Sequence, residues 1–159
     1  MRVYLVRHGE AMAKDADPER HLSPDGAEAV RRVGALLKPL GLRVGALWHS
    51  PKTRAAETAG ILTSAVAADE GPSERDDLAP NDDTGPVRRD LRKADADVMI
   101  VGHLPFLARL ASRLLADDES AVSLHFAAGS VACLARDDHG DWRLEWLIAP
   151  GLLNAGAAP

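Results

Sequence analysis

Cysteine is almost missing from this chain, with Cys133 the only one. No intrachain disulfide can form and a cysteine-rich metal site is excluded, which fits a reducing compartment and leads to the expectation of a cytoplasmic protein. Long apolar runs are lacking as well. No segment approaches the length that spans a bilayer. The apolar stretch at the N-terminus is broken by Arg7 and His8, too early for the core of a secretory signal. Positive charge is in deficit: 19 Lys and Arg against 24 Asp and Glu leave a formal net charge of −5. That argues against a nucleic-acid groove, and no membrane contact is expected either. An acidic chain that handles an anion has to gather its few relevant cations locally. Repeats and low-complexity tracts are also absent. The remainder is a chain of 159 residues, one domain on size and able to bury a core without a disulfide or a structural metal.

Arg2-Val3-Tyr4-Leu5-Val6 reads as a buried strand. At its end the chain abruptly presents Arg7, His8 and Gly9, where open α/β sheets bind ligands. Arg7 offers a planar fork suited to phosphate oxygens. His8 can act as a nucleophile or as an acid or base. Gly9 removes a side chain, so that the backbone can turn and a ligand can approach. Ser50-Pro51-Lys52-Thr53-Arg54 places another arginine at a helix start, and Val101-Gly102-His103-Leu104-Pro105 another histidine at a strand end. The second helix turns Arg54 back toward the strand ends, because long helical side chains lean toward the N-terminus, where the helix dipole also favours an anion.

The other elements follow the hydrophobic periods. Residues 11–22 read as a loop over the site. Ser23-Pro24 is an N-cap with proline at the first helical position, and Val30, Val33, Leu37 and Leu40 share one face before Gly41. Val44 to Trp48 is expected to be the second strand. Ser50-Pro51 repeats the cap pattern for a helix buried through Ala55, Ala59, Leu62 and Val66. Residues 69–97 are the least readable: Ala67-Ala68-Asp69 leads to a short strand, 75–82 is loop, and Val87 to Leu91 a short helix. Asp97 to Val101 is a buried strand, and Pro105 opens a helix carrying Leu107, Leu110 and Leu114. After a loop over 117–128, Ser130–Ala135 and Trp142–Ile148 form a hairpin around Asp137-Asp138-His139-Gly140. The expected division is a domain over 1–150 and a poorly ordered tail over 151–159.

These motifs carry a resemblance. Arg7-His8-Gly9, Leu22-Ser23…Gly26, Ser50-Pro51…Arg54-Ala55…Thr58 and Gly102-His103…Pro105 together resemble the histidine phosphatase superfamily, which has the fold of the cofactor-dependent phosphoglycerate mutases. The match covers nearly the whole chain in order and spacing. The short length and the Leu-Val-Arg-His-Gly-Glu-Ala opening are most similar to the small branch typified by the SixA phosphohistidine phosphatases. The resemblance implies an α/β protein, a single-domain three-layer α/β/α sandwich with a mostly parallel central sheet. It makes His8 the nucleophile that forms a phosphohistidine intermediate. Arg7 and Arg54 become the clamps on the phosphoryl oxygens and His103 a further donor. Gly9, Leu104 and Ser50 join Arg7, Arg54 and His103 as substrate contacts. No metal and no cofactor are expected, because two arginines and a second histidine supply the charge.

Larger members of the family place a glutamate acid after the second helix; alignment puts Pro80 there, with Asp77 and Asp82 as weak substitutes. A missing strong acid favours a leaving group that protonates itself, such as imidazole. The first expectation is therefore a metal-independent hydrolase of phosphohistidine on a partner protein in a phosphorelay or carrier system. The second is a phosphatase of a small phosphoester or nucleotide, using Asp77 or Asp82. The third is a non-catalytic phosphate-binding module. A mutase is disfavoured, since the chain has little lid. Oligomeric state is open.

Overall fold

The Arg2–Arg7 strand (β1) lies inside a six-stranded sheet in the computed structural model, which describes residues 1–154. Helix Pro24–Leu37 (α1) follows, then strands Arg43–Val44 (β2) and Ala46–His49 (β3), helix Thr53–Leu62 (α2), and strands Ala67–Ala68 (β4) and Pro72–Glu74 (β5). Helix Gly85–Lys93 (α3), strand Val98–Gly102 (β6), helix Phe106–Ala116 (α4), and the hairpin strands Val131–Arg136 (β7) and Trp142–Ile148 (β8) complete the set. The sheet order is β5-β3-β6-β1-β7-β8. The first four strands pair in parallel, and β7 and β8 pair antiparallel beyond β1.

Side chains alternate across a strand, so β1 feeds two cores. Val3 and Leu5 pack with α3, α4 and Phe126 on one face; Tyr4 and Val6 pack with α1 and α2 on the other. The sheet between these helix pairs is the expected three-layer sandwich. Every residue of β6 is buried, as its uninterrupted apolar run requires of a strand covered on both faces. Each fully buried Val or Leu here contributes roughly 1.5–3 kcal/mol. Cys133 sits in this core, and burial first of all pushes its thiol up to about 12, which makes it inert packing.

Local signals behave in several places as expected. Ser23 is extended and its Oγ accepts the Gly26 N–H at 3.0 Å, with Pro24 opening α1. Gly140 turns the β7–β8 hairpin at φ 92°. Other expectations need correction. Leu40 is 57% exposed, because α1 ends at Leu37 and a 3-10 turn carries Leu40 off the buried stripe. The expected second strand is two: Gly45 separates β2, which pairs only with β4, from β3 of the main sheet. The short strand expected after Asp69 is β5, whose Pro-Ser-Glu sequence is wholly exposed and carries no apolar pattern, and a further short strand, β4, forms at Ala67–Ala68 itself. The second helix starts at Thr53, so Ser50-Pro51 lies outside it and supplies no cap. Pro150–Asn154 forms a short 3-10 helix, with Leu153 against the α1/α2 core. That overlaps the expected tail, and residues 155–159 lie outside the described residues.

Candidate active site

Three neighbouring parallel strands, β3, β6 and β1, end at the same edge of the sheet. His49 pairs with Val101 and Arg7 with Gly102, so Ser50, His103 and His8 follow at adjacent strand ends. The Ser50 N–H donates to the Val101 carbonyl at 3.0 Å and the His8 N–H to the Gly102 carbonyl at 3.1 Å, which continues the ladder into the loops. Parallel pairing thereby converts three sequence-distant motifs into one cluster.

The His8 ring is fixed at both nitrogens. Nδ1 lies 2.7 Å from the Gly9 carbonyl oxygen. A carbonyl only accepts, so Nδ1 carries the proton and the lone pair belongs to Nε2. Arg54 Nε donates to that Nε2 at 3.3 Å. The His103 ring lies 4.9 Å from the His8 ring, centroid to centroid, tilted by 57°. His103 is 2% exposed, its Nε2 lies 2.8 Å from Ser50 Oγ, and its buried Nδ1 has no hydrogen-bond partner among the described residues. Arg7 donates from Nη1 to the Phe126 carbonyl at 2.7 Å, while its buried Nε is likewise unpartnered. The Gly129 N–H is shared by the Arg7 and His8 carbonyls, at 3.1 and 3.0 Å, tying the β7 side to the same turn.

Thr58 couples two of the motifs. Its hydroxyl donates to the Arg54 carbonyl at 2.7 Å and accepts the Gly9 N–H at 3.1 Å. Gly9 has a packing reason besides the expected one. A Cβ there would lie 2.8 Å from Val30 Cγ2 and 3.0 Å from the Gly26 carbonyl, so it is the approach of α1 that requires glycine. Leu104 is half-buried against the α3/α4 core and offers the cluster no polar side-chain atom. Asp77 is gripped by Arg75 through two bonds of 2.8 and 2.6 Å, which hold its carboxyl below the usual range. Asp82 accepts the Ala79 N–H at 2.6 Å and so closes its own turn. Both substitutes for an acid are thus engaged in holding the 75–84 segment. Arg20, which carried no motif, lies close enough to act electrostatically on His8, Arg54 and His103. Only its place in the loop over the site pointed to it. Among the described residues, no three His, Cys, Asp or Glu side chains gather to hold a metal ion, and no helix is long and apolar enough to cross a membrane.

Both imidazoles resist protonation. His8 is lowered to about 4, first by burial, against the bond to Gly9, and then by Arg54 and Arg7. His103 is lowered to about 3, again first by burial and then by His8 and Arg54. Their ordinary value is 6.5, so between 6.5 and about 4 the unfolded chain binds more protons than the native one. Stability is then fully present above pH 6.5 and falls as the pH drops toward 4. The expected loss is of the order of a few kcal/mol for the two rings together. Urea unfolding at pH 7 and in acid checks this: His103→Asn should flatten the slope, and an unchanged slope would refute the assignment.

Residues 3–79 match the model of the histidine phosphatase superfamily (branch 1). An uncharacterized protein of Picosynechococcus sp. is 32% identical over 123 residues, 72% of this chain and 73% of its own. Among solved structures, the protein histidine phosphatase SixA complexed with tungstate is similar with a TM-score of 0.85 and 24% identity, covering 96% of this chain and 99% of that one. The alpha-ribazole phosphatase of Shigella flexneri is similar with a TM-score of 0.71 and 16% identity, covering 94% and 97%.

Proposed function

Because the chain belongs to the histidine phosphatase superfamily, we propose that it removes phosphate from phosphohistidine on a partner protein, through a phosphohistidine formed on His8. The observation that carries this is the proton held on Nδ1 by Gly9, which leaves a Nε2 lone pair beside Arg54 and the His103 ring. In the first step His8 Nε2 bonds to phosphorus as the bond to the leaving nitrogen breaks. The departing ring, already protonated at its other nitrogen, keeps the electron pair of the broken N–P bond and leaves as neutral imidazole. In the second step water bonds to phosphorus, the bond to Nε2 breaks, and the lone pair returns to His8. Arg7 and Arg54 neutralise the oxygens throughout, which is most of what phosphoryl transfer asks of a protein. His103 supplies a further donor, positioned by Ser50.

The substrate class follows from the acid. Asp77 and Asp82 are both committed elsewhere, so an alkoxide leaving group would depart without a ready proton source. A phosphorylated imidazole needs none. The likeness to SixA agrees with this reading. The segment 75–84 between β5 and α3 is short, which keeps the mouth open to a group presented on another protein. A panel of a phosphohistidine protein, phosphoserine, sugar phosphates and nucleotides tests it, each run with and without chelator. We expect preferential release from phosphohistidine, insensitive to chelator. A clear preference for a small phosphoester, sensitive to Asp77→Asn or Asp82→Asn, would transfer the assignment to that substrate class.

A further inference from the structure

Ser50 is held at every polar atom it has. It is 0% exposed. Its N–H donates to the Val101 carbonyl at 3.0 Å, and its own carbonyl accepts from His49 Nδ1 at 2.9 Å. Its Oγ accepts the Lys52 N–H at 3.4 Å and lies 2.8 Å from His103 Nε2. The hydroxyl therefore stands between the backbone that leads into α2 and the ring that follows β6, with little freedom to turn away from either.

That contact decides where His103 keeps its proton. Burial first of all lowers this ring to about 3, so at neutral pH it carries a single proton, on Nδ1 or on Nε2. A hydroxyl has one proton and two lone pairs. A proton on Nε2 would fill the second lone pair of Ser50 Oγ, beside the Lys52 N–H. The hydroxyl proton would then have no acceptor among the described residues, and the buried Nδ1 would offer a bare lone pair. Two buried groups would go unspent, each at the cost of its lost hydration. With the hydroxyl donating to Nε2 instead, Ser50 is satisfied and only one group stays open, the Nδ1–H of a ring that is 2% exposed. A lone pair at that atom repels an oxyanion, and an N–H receives one.

We infer that the Ser50 hydroxyl donates to His103 Nε2 and thereby fixes His103 as the Nδ1–H tautomer, a neutral donor to the phosphoryl oxygens. Ser50 is thus a positioning residue that acts through His103. A neutral imidazole lends its Nδ1–H without releasing it near neutral pH, so His103 offers no acid to a leaving group. The donor role rests on the proposed phosphoryl site at His8. The tautomer is a property of the unloaded protein and is read without a substrate.

Nitrogen NMR at neutral pH on protein labelled in its histidine rings is the test, with the His103 signals identified by their loss in His103→Asn. Protonated and bare ring nitrogens resonate far apart, so each tautomer has its own pattern. We expect Nδ1–H at His103 in the parent and in Ser50→Thr, which keeps a hydroxyl, and a shift toward Nε2–H in Ser50→Ala. Calorimetric titration with inorganic phosphate should then show binding weaker by about tenfold in Ser50→Ala and within about threefold of the parent in Ser50→Thr. Should Ser50→Ala fail to fold, Ser50→Cys takes its place, since a thiol is a weak donor and predicts a mixed tautomer. Nε2–H at His103 in the parent overturns the assignment whatever the variants do. A tautomer unchanged in Ser50→Ala, or in Ser50→Cys where that variant stands in, makes Ser50 a packing residue and overturns its role too. An Nδ1–H ring in a parent that binds no phosphate overturns the donor role together with the phosphoryl site, while the link from Ser50 to the tautomer stands.

Discussion

His8→Ala is expected to lower kcat by about four orders of magnitude or more, since it removes the atom proposed to carry the phosphoryl group. Inorganic phosphate should still bind, because the guanidinium groups remain. Acid-stopped turnover followed by mass spectrometry should find a phosphoryl group on a peptide containing His8 in the parent and none in the variant. Turnover and the covalent adduct should vanish together. Residual turnover within about tenfold of the parent would mean that water attacks phosphorus directly and that His8 only positions it. The low pKa of about 4 adds a condition: His8 stays neutral and nucleophilic well into acid, so the acid limb of kcat should lie below the ordinary imidazole range.

Arg7→Lys is the second large loss, expected at about 10²–10³ in kcat/KM. The substitution keeps the charge and discards the geometry. Arg7 spends Nη1 on the Phe126 carbonyl, and its buried Nε is unpartnered, so the fork is anchored at one prong and free at another. An ammonium on a flexible stem cannot hold the carbonyl and a phosphoryl oxygen in fixed relation. Steady-state kinetics on the parent and the variant, with inorganic phosphate as competitive inhibitor, separates the terms. KM and the inhibition constant should rise together while the melting temperature changes little. An effect on stability with none on the inhibition constant would reassign Arg7 to holding the β7 side of the site.

Much of this was legible in the chain, for identifiable reasons. The β1 and β6 runs are apolar on both faces and stop abruptly at Arg-His-Gly and Gly-His, so strand and site were announced by the same residues. The Ser23 cap and the α1 stripe are local chemistry and appeared where local chemistry put them. Ser50 misled because Ser-Pro imitates a helix start; the parallel pairing of β3 with β6 carries its hydroxyl to His103 instead. The packing role of Gly9 was not legible, since nothing in the triplet tells of α1, whose Gly26 and Val30 lie 17 and 21 positions downstream. Strand β5 could be expected only as a short strand without bounds, because an edge strand of Pro, Ser and Glu has no apolar pattern and is held chiefly by its backbone pairing to β3. Arg20 was hidden for a different reason: its position depends on an Asp17-centred turn and a left-handed backbone, neither of which has a periodic signature.

Arg7 and Arg54 join no ion pair among the described residues, and this has a thermodynamic consequence. Like charge assembled ahead of its ligand makes the unloaded protein the repelling form and the anion-loaded protein the relaxed one. By mass action an oxyanion at a hundred times its dissociation constant stabilises the native state by about 2.7 kcal/mol. The phosphate released in each cycle is such an oxyanion, so the catalyst is also a reservoir for its own product. Where free phosphate exceeds its dissociation constant, the resting molecule is the occupied one.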